Sequence, residues 1–195
     1  SAPAFPPSEE TPRAAFRARH ALAKRLADVV SLPASRINAF ERSVTGDLLV
    51  EMLRLASKDD RRKVAQRLAP LAELPNSLAR LLLRDEPSIA ALLIEQCAAL
   101  SDADLVNAAR DATAEHRFIM ASRRSLTEVV TETLLSFGED HVIEAVLRNT
   151  TARLSQTAME GVVALSRTST QLTAHILRRP ELRPSGAYVM FWWAG

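Results

Sequence analysis

The chain contains few cysteine, glycine and aromatic residues. Its 195 residues include one cysteine, five glycines and nine aromatic side chains. A single cysteine excludes an internal disulfide framework, and so few glycines and aromatics argue against a β-barrel or β-sandwich. With 47% apolar residues the chain is too hydrophobic for a disordered protein, yet it has no apolar run long enough to span a membrane. The glycines are isolated from one another, so the sequence offers no glycine-rich phosphate-binding loop.

Neither sign of charge dominates. Twenty-five basic and 23 acidic residues give a net charge of +2, which does not require a nucleic-acid partner. No signal-peptide pattern is found, so a cytoplasmic location is expected, and no cofactor is predicted. Serine at position 1 and the abrupt aromatic end predict an excised piece whose C-terminus is truncated.

Alanine and leucine are abundant, and both favour helices. An anchor leucine recurs at Leu74, Leu100, Leu126, Leu154 and Leu182, and the steps between successive anchors are 26, 26, 28 and 28. Helix-starting residues follow the anchors, for example Ser101 and Ser155, whose hydroxyls can accept from the first backbone N–H groups. The segment 125–128 is interpreted as a capping box. This register predicts a short helix on each side of every anchor.

The residues before the anchors predict the buried face of the first helix in each unit. One set lies six or seven residues before the anchor and another ten or eleven before it, a spacing of one helical turn. These sets are Leu68, Leu93, Met120, Leu147 and Ile176, and Val64, Ile89, His116, Ile143 and Leu172. The second helix has its predicted buried positions eight and nine residues after the anchor, up to Met190 and Phe191. Gly138 is placed to end a helix in the left-handed conformation.

Two short helices cannot bury their apolar faces alone, so neighbouring pairs must stack. We therefore predict an all-α fold: a right-handed HEAT-like α-solenoid of about five helix pairs over residues 59–195. An N-terminal helical cap over residues 13–58 precedes it, after a flexible lead-in over residues 1–12. A plain helical bundle is the rival architecture, but it does not explain the recurring leucine and cap register.

The N-terminal cap is expected to contain a basic amphipathic helix. Phe16, Leu22, Leu26, Val29 and Val30 lie roughly on one side, with basic residues around the rest. This apolar stripe either packs on the first repeat, docks on an anionic membrane or acidic protein, or forms a dimer or crystal contact. A second helical region over residues 35–56 is predicted to be interrupted near Thr45 and Gly46.

Four segments resemble an uncharacterised, mainly alphaproteobacterial domain family of unknown function. They are residues 121–127 (ASRRSLT), 147–155 (LRNTTARLS), 177–182 (LRRPEL) and 190–194 (MFWWA). The resemblance runs from about residue 40 to the end. It implies a HEAT-like fold and a regulatory or interaction role, and it implies no catalytic residues.

Arginines form the one repeated polar feature. They occur near the end of the first helix in three successive units, at Arg123, Arg124, Arg148, Arg178 and Arg179. Either these cations complement the carbonyls at helix C-termini, or stacking lines them into a basic ridge that binds carboxylates or phosphates of a partner.

The last eight residues hold a cluster of aromatic side chains that includes Trp192 and Trp193. Adjacent residues point about 100° apart on a helix, so the two indoles cannot be buried in the same direction. The cluster belongs either to a terminal helix that caps the solenoid or to an interaction surface. The candidate partner-binding residues are therefore the five arginines, Trp192 and Trp193.

No catalytic or metal site is predicted. His116 occupies an inward position typical of a core or hydrogen-bonded histidine, and Cys97 is interpreted as a small buried side chain. Acidic pairs such as Asp102 and Asp104 lie at helix starts, where they complement the helix dipole. We therefore expect a non-catalytic protein-interaction or regulatory scaffold with a protein partner. A nucleic-acid-binding helical repeat is the alternative, and an enzyme is less favoured still.

Overall fold

The computed structural model describes residues 10–193, which contain twelve α-helices and no strand, as the predicted all-α class requires. The first two helices are α1 (Glu10–Val30) and α2 (Ala39–Arg54). The others are α3 (Lys58–Leu68), α4 (Asn76–Leu83), α5 (Pro87–Gln96), α6 (Asp102–Asp111), α7 (Ala114–Ala121), α8 (Glu128–Leu135), α9 (Asp140–Arg148), α10 (Gln156–Leu165), α11 (Thr173–Leu177) and α12 (Pro184–Phe191), with a 3-10 turn at Thr170–Leu172. The predicted lead-in lies mostly outside the described residues.

The helices alternate between two rows. Odd-numbered helices contact one another in order from α1 to α11, and even-numbered helices do so from α2 to α12. Each helix therefore packs against the helix two places along the chain, which is the contact pattern of a helical repeat. Three features stay predictions: the handedness of the stack, its likeness to HEAT repeats, and the boundary between the N-terminal cap and the array.

The predicted register is confirmed by where the even-numbered helices begin. From α4 to α12 their first residues are 76, 102, 128, 156 and 184, each two residues after an anchor leucine. Ser101 and Ser155 cap α6 and α10 by accepting from backbone N–H groups three residues on. The capping box predicted at 125–128 is wrong. Thr127 is the N-cap residue of α8, but its hydroxyl donates to Asp102 across the stack, 2.8 Å away.

Both sets of inward positions before the anchors are buried, including His116. In the second helices the prediction fails at Phe191, which lies on the exposed side of the last helix while Met190 is buried. Gly138 has a φ of 65° after α8, so the predicted left-handed position is confirmed.

The apolar stripe predicted for α1 is right at Val30, which is buried, and at Leu26, which packs against the core, but it is wrong at Phe16, Leu22 and Val29. The buried residues of this helix are Ala23, Ala27 and Val30, whereas Phe16 and Leu22 are exposed. Small side chains at spacings of four and three residues form one helical face and let the helix axes approach closely. Alanine is weakly apolar, so the larger side chains dominated the sequence pattern.

The interruption predicted near Gly46 is also wrong, because α2 runs unbroken from Ala39 to Arg54. A Cβ atom at position 46 would lie 2.7 Å from the Cβ of Pro75, which precedes α4. Glycine is therefore used at this position for close packing rather than to break the helix.

Candidate functional site

The predicted arginine ridge divides into inward and outward side chains. Arg123 follows the end of α7 and points back to the preceding unit. Its Nη1 donates to the carbonyl oxygen of Ile94 at 2.7 Å, and its Nη2 donates to that of Cys97 at 2.8 Å. Burial lowers the pKa of Arg123 from its ordinary value. The side chain thus binds two carbonyls at the end of α5, as the first of the two interpretations expected.

Arg179, which follows α11, makes the same kind of contact two units further along. It is 6% exposed and donates to the carbonyl oxygens of Asn149 at 2.8 Å and Ala152 at 2.7 Å. Its guanidinium also pairs with Glu181 at 2.7 Å. Burial by itself would raise the pKa of Glu181, but the hydrogen bonds and charge of Arg179, together with hydrogen bonds from backbone N–H groups, outweigh it, and the net shift is downward.

Asn149 completes the series between these two arginines, after the end of α9. Its Nδ2 donates to the carbonyl oxygens of Ala121 at 2.9 Å and Arg123 at 2.7 Å. Arg123, Asn149 and Arg179 recur along the chain at a spacing close to the period of the anchors. We call these three residues the inter-unit clasps. Sequence reasoning missed Asn149, although its spacing from Arg123 was a usable signal.

The remaining ridge residues are Arg124, Arg148 and Arg178, and all three are exposed. Arg148 and Arg178 lie at the C-terminal ends of α9 and α11, and Arg124 lies in the turn just after α7; these three helices contact one another in order. Arg148 pairs loosely with Glu144 of its own helix, at 3.5 Å. We call these three residues the arginine edge.

Arg148 also lines a groove between α7 and α9. The groove has a volume of about 430 Å³, and Phe118 and His141 lie in it with their ring centroids 5.6 Å apart. Aromatic surface beside a guanidinium can hold a carboxylate together with apolar side-chain atoms. The groove therefore adds an apolar component to the arginine edge.

The two tryptophans point in different directions, in agreement with their helical spacing. Trp193 packs against the core, and its indole N–H donates to the hydroxyl of the buried Ser166 at 3.1 Å. Trp192 is 71% exposed and meets Tyr188 edge to face, with ring centroids 6.0 Å apart. Trp193 thus anchors the last helix, and Trp192 remains on the surface.

The opposite edge of the odd-numbered row carries ion pairs between units. Arg61 donates to Asp85 at 2.7 Å, and Arg117 donates to Glu139 at 2.6 Å. The hydrogen bond from Arg117 lowers the pKa of Glu139. These ion pairs join side chains of neighbouring units in the stack.

The buried titratable groups are also engaged within the fold. The Nε2 of His116 lies 2.7 Å from the carbonyl oxygen of Asp85, and its Nδ1 lies 2.7 Å from the hydroxyl of Thr113. Burial raises the pKa of the Cys97 thiol, which disfavours the nucleophilic thiolate. Among residues 10–193, no three potential metal ligands are grouped closely enough to hold an ion. None of the helices described is long and apolar enough to cross a bilayer.

The fold and the clasps define the chain as an all-α protein of stacked helix pairs. A family model described as "Uncharacterised protein conserved in bacteria (DUF2336)" matches residues 89–195, more than half of the chain. The chain belongs to this bacterial family. The matched part begins in α5 and includes the clasps, the arginine edge and both tryptophans. No curated protein and no solved structure matched the chain.

Proposed function

We propose that the chain is a non-catalytic regulatory scaffold that binds an acidic, extended segment of a partner protein. The observation that carries this proposal is the arginine edge. Arg124, Arg148 and Arg178 stay exposed at the ends of three helices that follow one another in the odd-numbered row. The guanidinium groups of Arg123 and Arg179 instead donate hydrogen bonds to backbone carbonyl oxygens. Guanidiniums bind carboxylates through paired hydrogen bonds, and a row of them suits a chain that runs across several units.

The groove at Arg148 adds apolar contacts to this surface. The exposed Trp192 lies at the C-terminal end of α12, away from Arg178, and is a separate candidate contact. Tryptophan and arginine are the side chains most enriched among residues that dominate binding energy at protein interfaces. A partner with alternating acidic and apolar side chains fits the arginine edge together with the groove at Arg148. Trp193 is excluded from the proposed binding residues because it anchors α12.

The non-catalytic part of the proposal is supported by how the fold uses its reactive groups. His116 is hydrogen-bonded at both ring nitrogens, and Cys97 is fully buried. General acid–base or nucleophilic chemistry needs such groups to converge on space that a substrate can enter. In the described part of the chain these two groups instead hold neighbouring units together or fill the core.

The proposal is tested by reversing charge at the arginine edge. A variant carrying Arg124→Glu and Arg178→Glu should lose most partner protein in affinity purification from the native host, with an unchanged melting temperature. The matched control carries Arg80→Glu and Arg110→Glu, two exposed arginines in the last turns of α4 and α6. The control should retain the partner.

Equal recovery of the partner by both variants would overturn the proposal, as would a salt-dependent complex with labelled DNA that the edge variant loses.

A further inference from the structure

The positive charge of the chain is concentrated on two neighbouring helices. Helices α1 and α3 contact each other in the odd-numbered row, and together they contain ten basic and four acidic residues. The rest of the chain contains 15 basic and 19 acidic residues. The overall charge of +2 therefore combines a net charge of +6 on α1 and α3 with a net charge of −4 elsewhere.

Three cations of α1 point in nearly the same direction. Arg13, Arg17 and Lys24 fall within about 40° of one another around the helix, and they span about 16 Å along its axis. All three side chains are exposed, as are all of residues 12–22. Residues 13–25 contain five basic residues and no acidic one. This side of α1 is therefore an open row of positive charge.

The row continues onto α3. A groove of about 330 Å³ lies between the two helices, and Lys24, Lys63 and Arg67 all line it. Lys63 and Arg67 are exposed, like the three cations of α1. We call Arg13, Arg17, Lys24, Lys63 and Arg67 the basic face.

The carboxylates beside the basic face leave its charge largely available. Lys63 pairs with Asp59 of its own helix at 3.0 Å, and Arg67 pairs with Asp28 at 3.6 Å. All four of these side chains are more than half exposed, and ion pairs of this kind are weak, so a phosphate group can compete for the two cations.

The carboxylate of Asp60 also lines the groove, but it is engaged by an imidazole. Asp60 is only 11% exposed at its side chain, and its Oδ1 lies 2.7 Å from the Nδ1 of His20. Among residues 12–193, Arg17 and Lys24 form no ion pair. These two cations are therefore the ones that an anionic partner meets first.

The composition of the basic face selects among anionic partners. On α1 the face contains no apolar side chain larger than alanine, and Phe16 lies off it, in a cavity with Met52 and Leu55. Protein interfaces and amphipathic membrane helices bury aromatic and aliphatic side chains, which this face lacks. Single strands stack their bases on aromatic side chains, which are missing here as well. A duplex bound through its phosphates needs only cations.

We propose that the basic face binds the phosphate backbone of a nucleic-acid duplex without reading its base sequence. A duplex carries one negative charge per about 1.7 Å of its axis, so the row of cations on α1 can meet several phosphates at once. The arginine edge lies on other helices and has an aromatic groove beside it, so this inference does not depend on the proposed function.

Fluorescence anisotropy with a labelled DNA duplex of random sequence tests the proposal. The affinity of the wild-type chain should fall about 100-fold between about 50 mM and about 200 mM salt, as expected for about four phosphate contacts. A variant carrying Arg17→Glu and Lys24→Glu should bind at least about tenfold more weakly at low salt, and its plot of log affinity against log salt should be shallower by about 2. Its circular dichroism spectrum should remain that of the wild type.

The matched control carries Arg19→Glu and Arg25→Glu. These residues are exposed on the same helix, and the change in net charge is the same, but both lie about 100° or more from the basic face. The control should keep the wild-type salt dependence and lose much less affinity. The variant of the arginine edge with Arg124→Glu and Arg178→Glu should bind the duplex like the wild type, which separates this test from that of the proposed function.

Three results would overturn the proposal. The first is a wild-type chain that binds no duplex at about 50 mM salt, where phosphate contacts are strong. The second is an equal loss of affinity and of salt dependence in the two α1 variants, which would mean that net charge alone is responsible. The third is tighter binding to phosphatidylserine vesicles than to the duplex, abolished by Arg17→Glu and Lys24→Glu, which would assign the basic face to a membrane.

Discussion

At the scale of single residues, arginine has two distinct uses in this chain. Arg123 is half-buried and donates to carbonyl oxygens of the preceding unit, and the adjacent Arg124 is exposed. The two side chains share the same helix end and the same charge. They differ only in direction, and direction decides whether the guanidinium stabilises the fold or stays available to a partner.

This difference gives a stability prediction. Arg123→Met should lower the free energy of unfolding by about 2 kcal/mol, because two buried carbonyls lose a charged donor while the aliphatic volume is kept. Arg124→Met should change it by less than about 0.5 kcal/mol, as expected for an exposed side chain. Urea denaturation followed by circular dichroism measures both values. Equal effects of the two substitutions would contradict the assigned role of Arg123.

At the scale of the element, two helical glycines have opposite surroundings. A Cβ at Gly46 in α2 would lie 2.7 Å and 2.8 Å from two carbons of the Pro75 ring. A Cβ at Gly161 in α10 would have no neighbouring atom within 4 Å. Replacing a helical glycine with alanine improves helix propensity at both sites, so packing alone distinguishes them.

We expect Gly46→Ala to lower the free energy of unfolding by about 1–3 kcal/mol, since the rigid proline ring cannot yield without moving α4. Gly161→Ala should raise it by about 0.5–1 kcal/mol through helix propensity. Thermal unfolding of the two variants in parallel measures the difference. If Gly46→Ala proved as stabilising as Gly161→Ala, the close approach of α2 to Pro75 would be refuted.

The helices of the array could be predicted because their signals are local. Anchor leucines and capping residues such as Ser101 mark a helix start wherever the chain lies in space. The face of α1 could not be found this way, because it is built from Ala23 and Ala27, whose burial depends on how closely a neighbour approaches. The role of Gly46 likewise depends on Pro75, which is distant in the sequence and lies beyond the whole of α3.

The candidate site was predictable only in part, for a related reason. The sequence located the arginines at the correct helix ends, but the direction of each side chain depends on the carbonyls of the preceding unit. Asn149 was missed because its residue type differs from that of the arginines, although its spacing from Arg123 fits the repeat. Only the stacked arrangement shows that it replaces an arginine in the clasp.

At the scale of the whole molecule, carboxylates that join neighbouring units make the stack sensitive to acid. The pKa of Glu139 and that of Glu181 are both lowered in the folded chain by arginine partners. Their stabilisation is therefore fully present above the unfolded-state value of about 4.3 and is lost as the pH falls through the folded-state values.

The melting temperature should consequently fall as the pH is lowered from about 5 to about 3. Glu139→Gln should begin with a lower melting temperature at neutral pH and show a shallower fall, because it has no carboxylate to protonate. Glu132→Gln, at an exposed position on α8, serves as the control and should follow the wild-type curve. Parallel curves for Glu139→Gln and wild type would contradict a stabilising Glu139–Arg117 pair.

The inter-unit clasps all point one way along the chain. Arg123, Asn149 and Arg179 each donate to carbonyls of an earlier unit, so the units that begin with α5, α7 and α9 are each completed by the one that follows. During synthesis from the N-terminus, the carbonyl oxygens of each of these units therefore lack their hydrogen-bond donor until the next helix pair has been made. In this part of the growing chain, only the most recently made unit has carbonyl oxygens without their clasp, and each new unit supplies the clasp for the one before it.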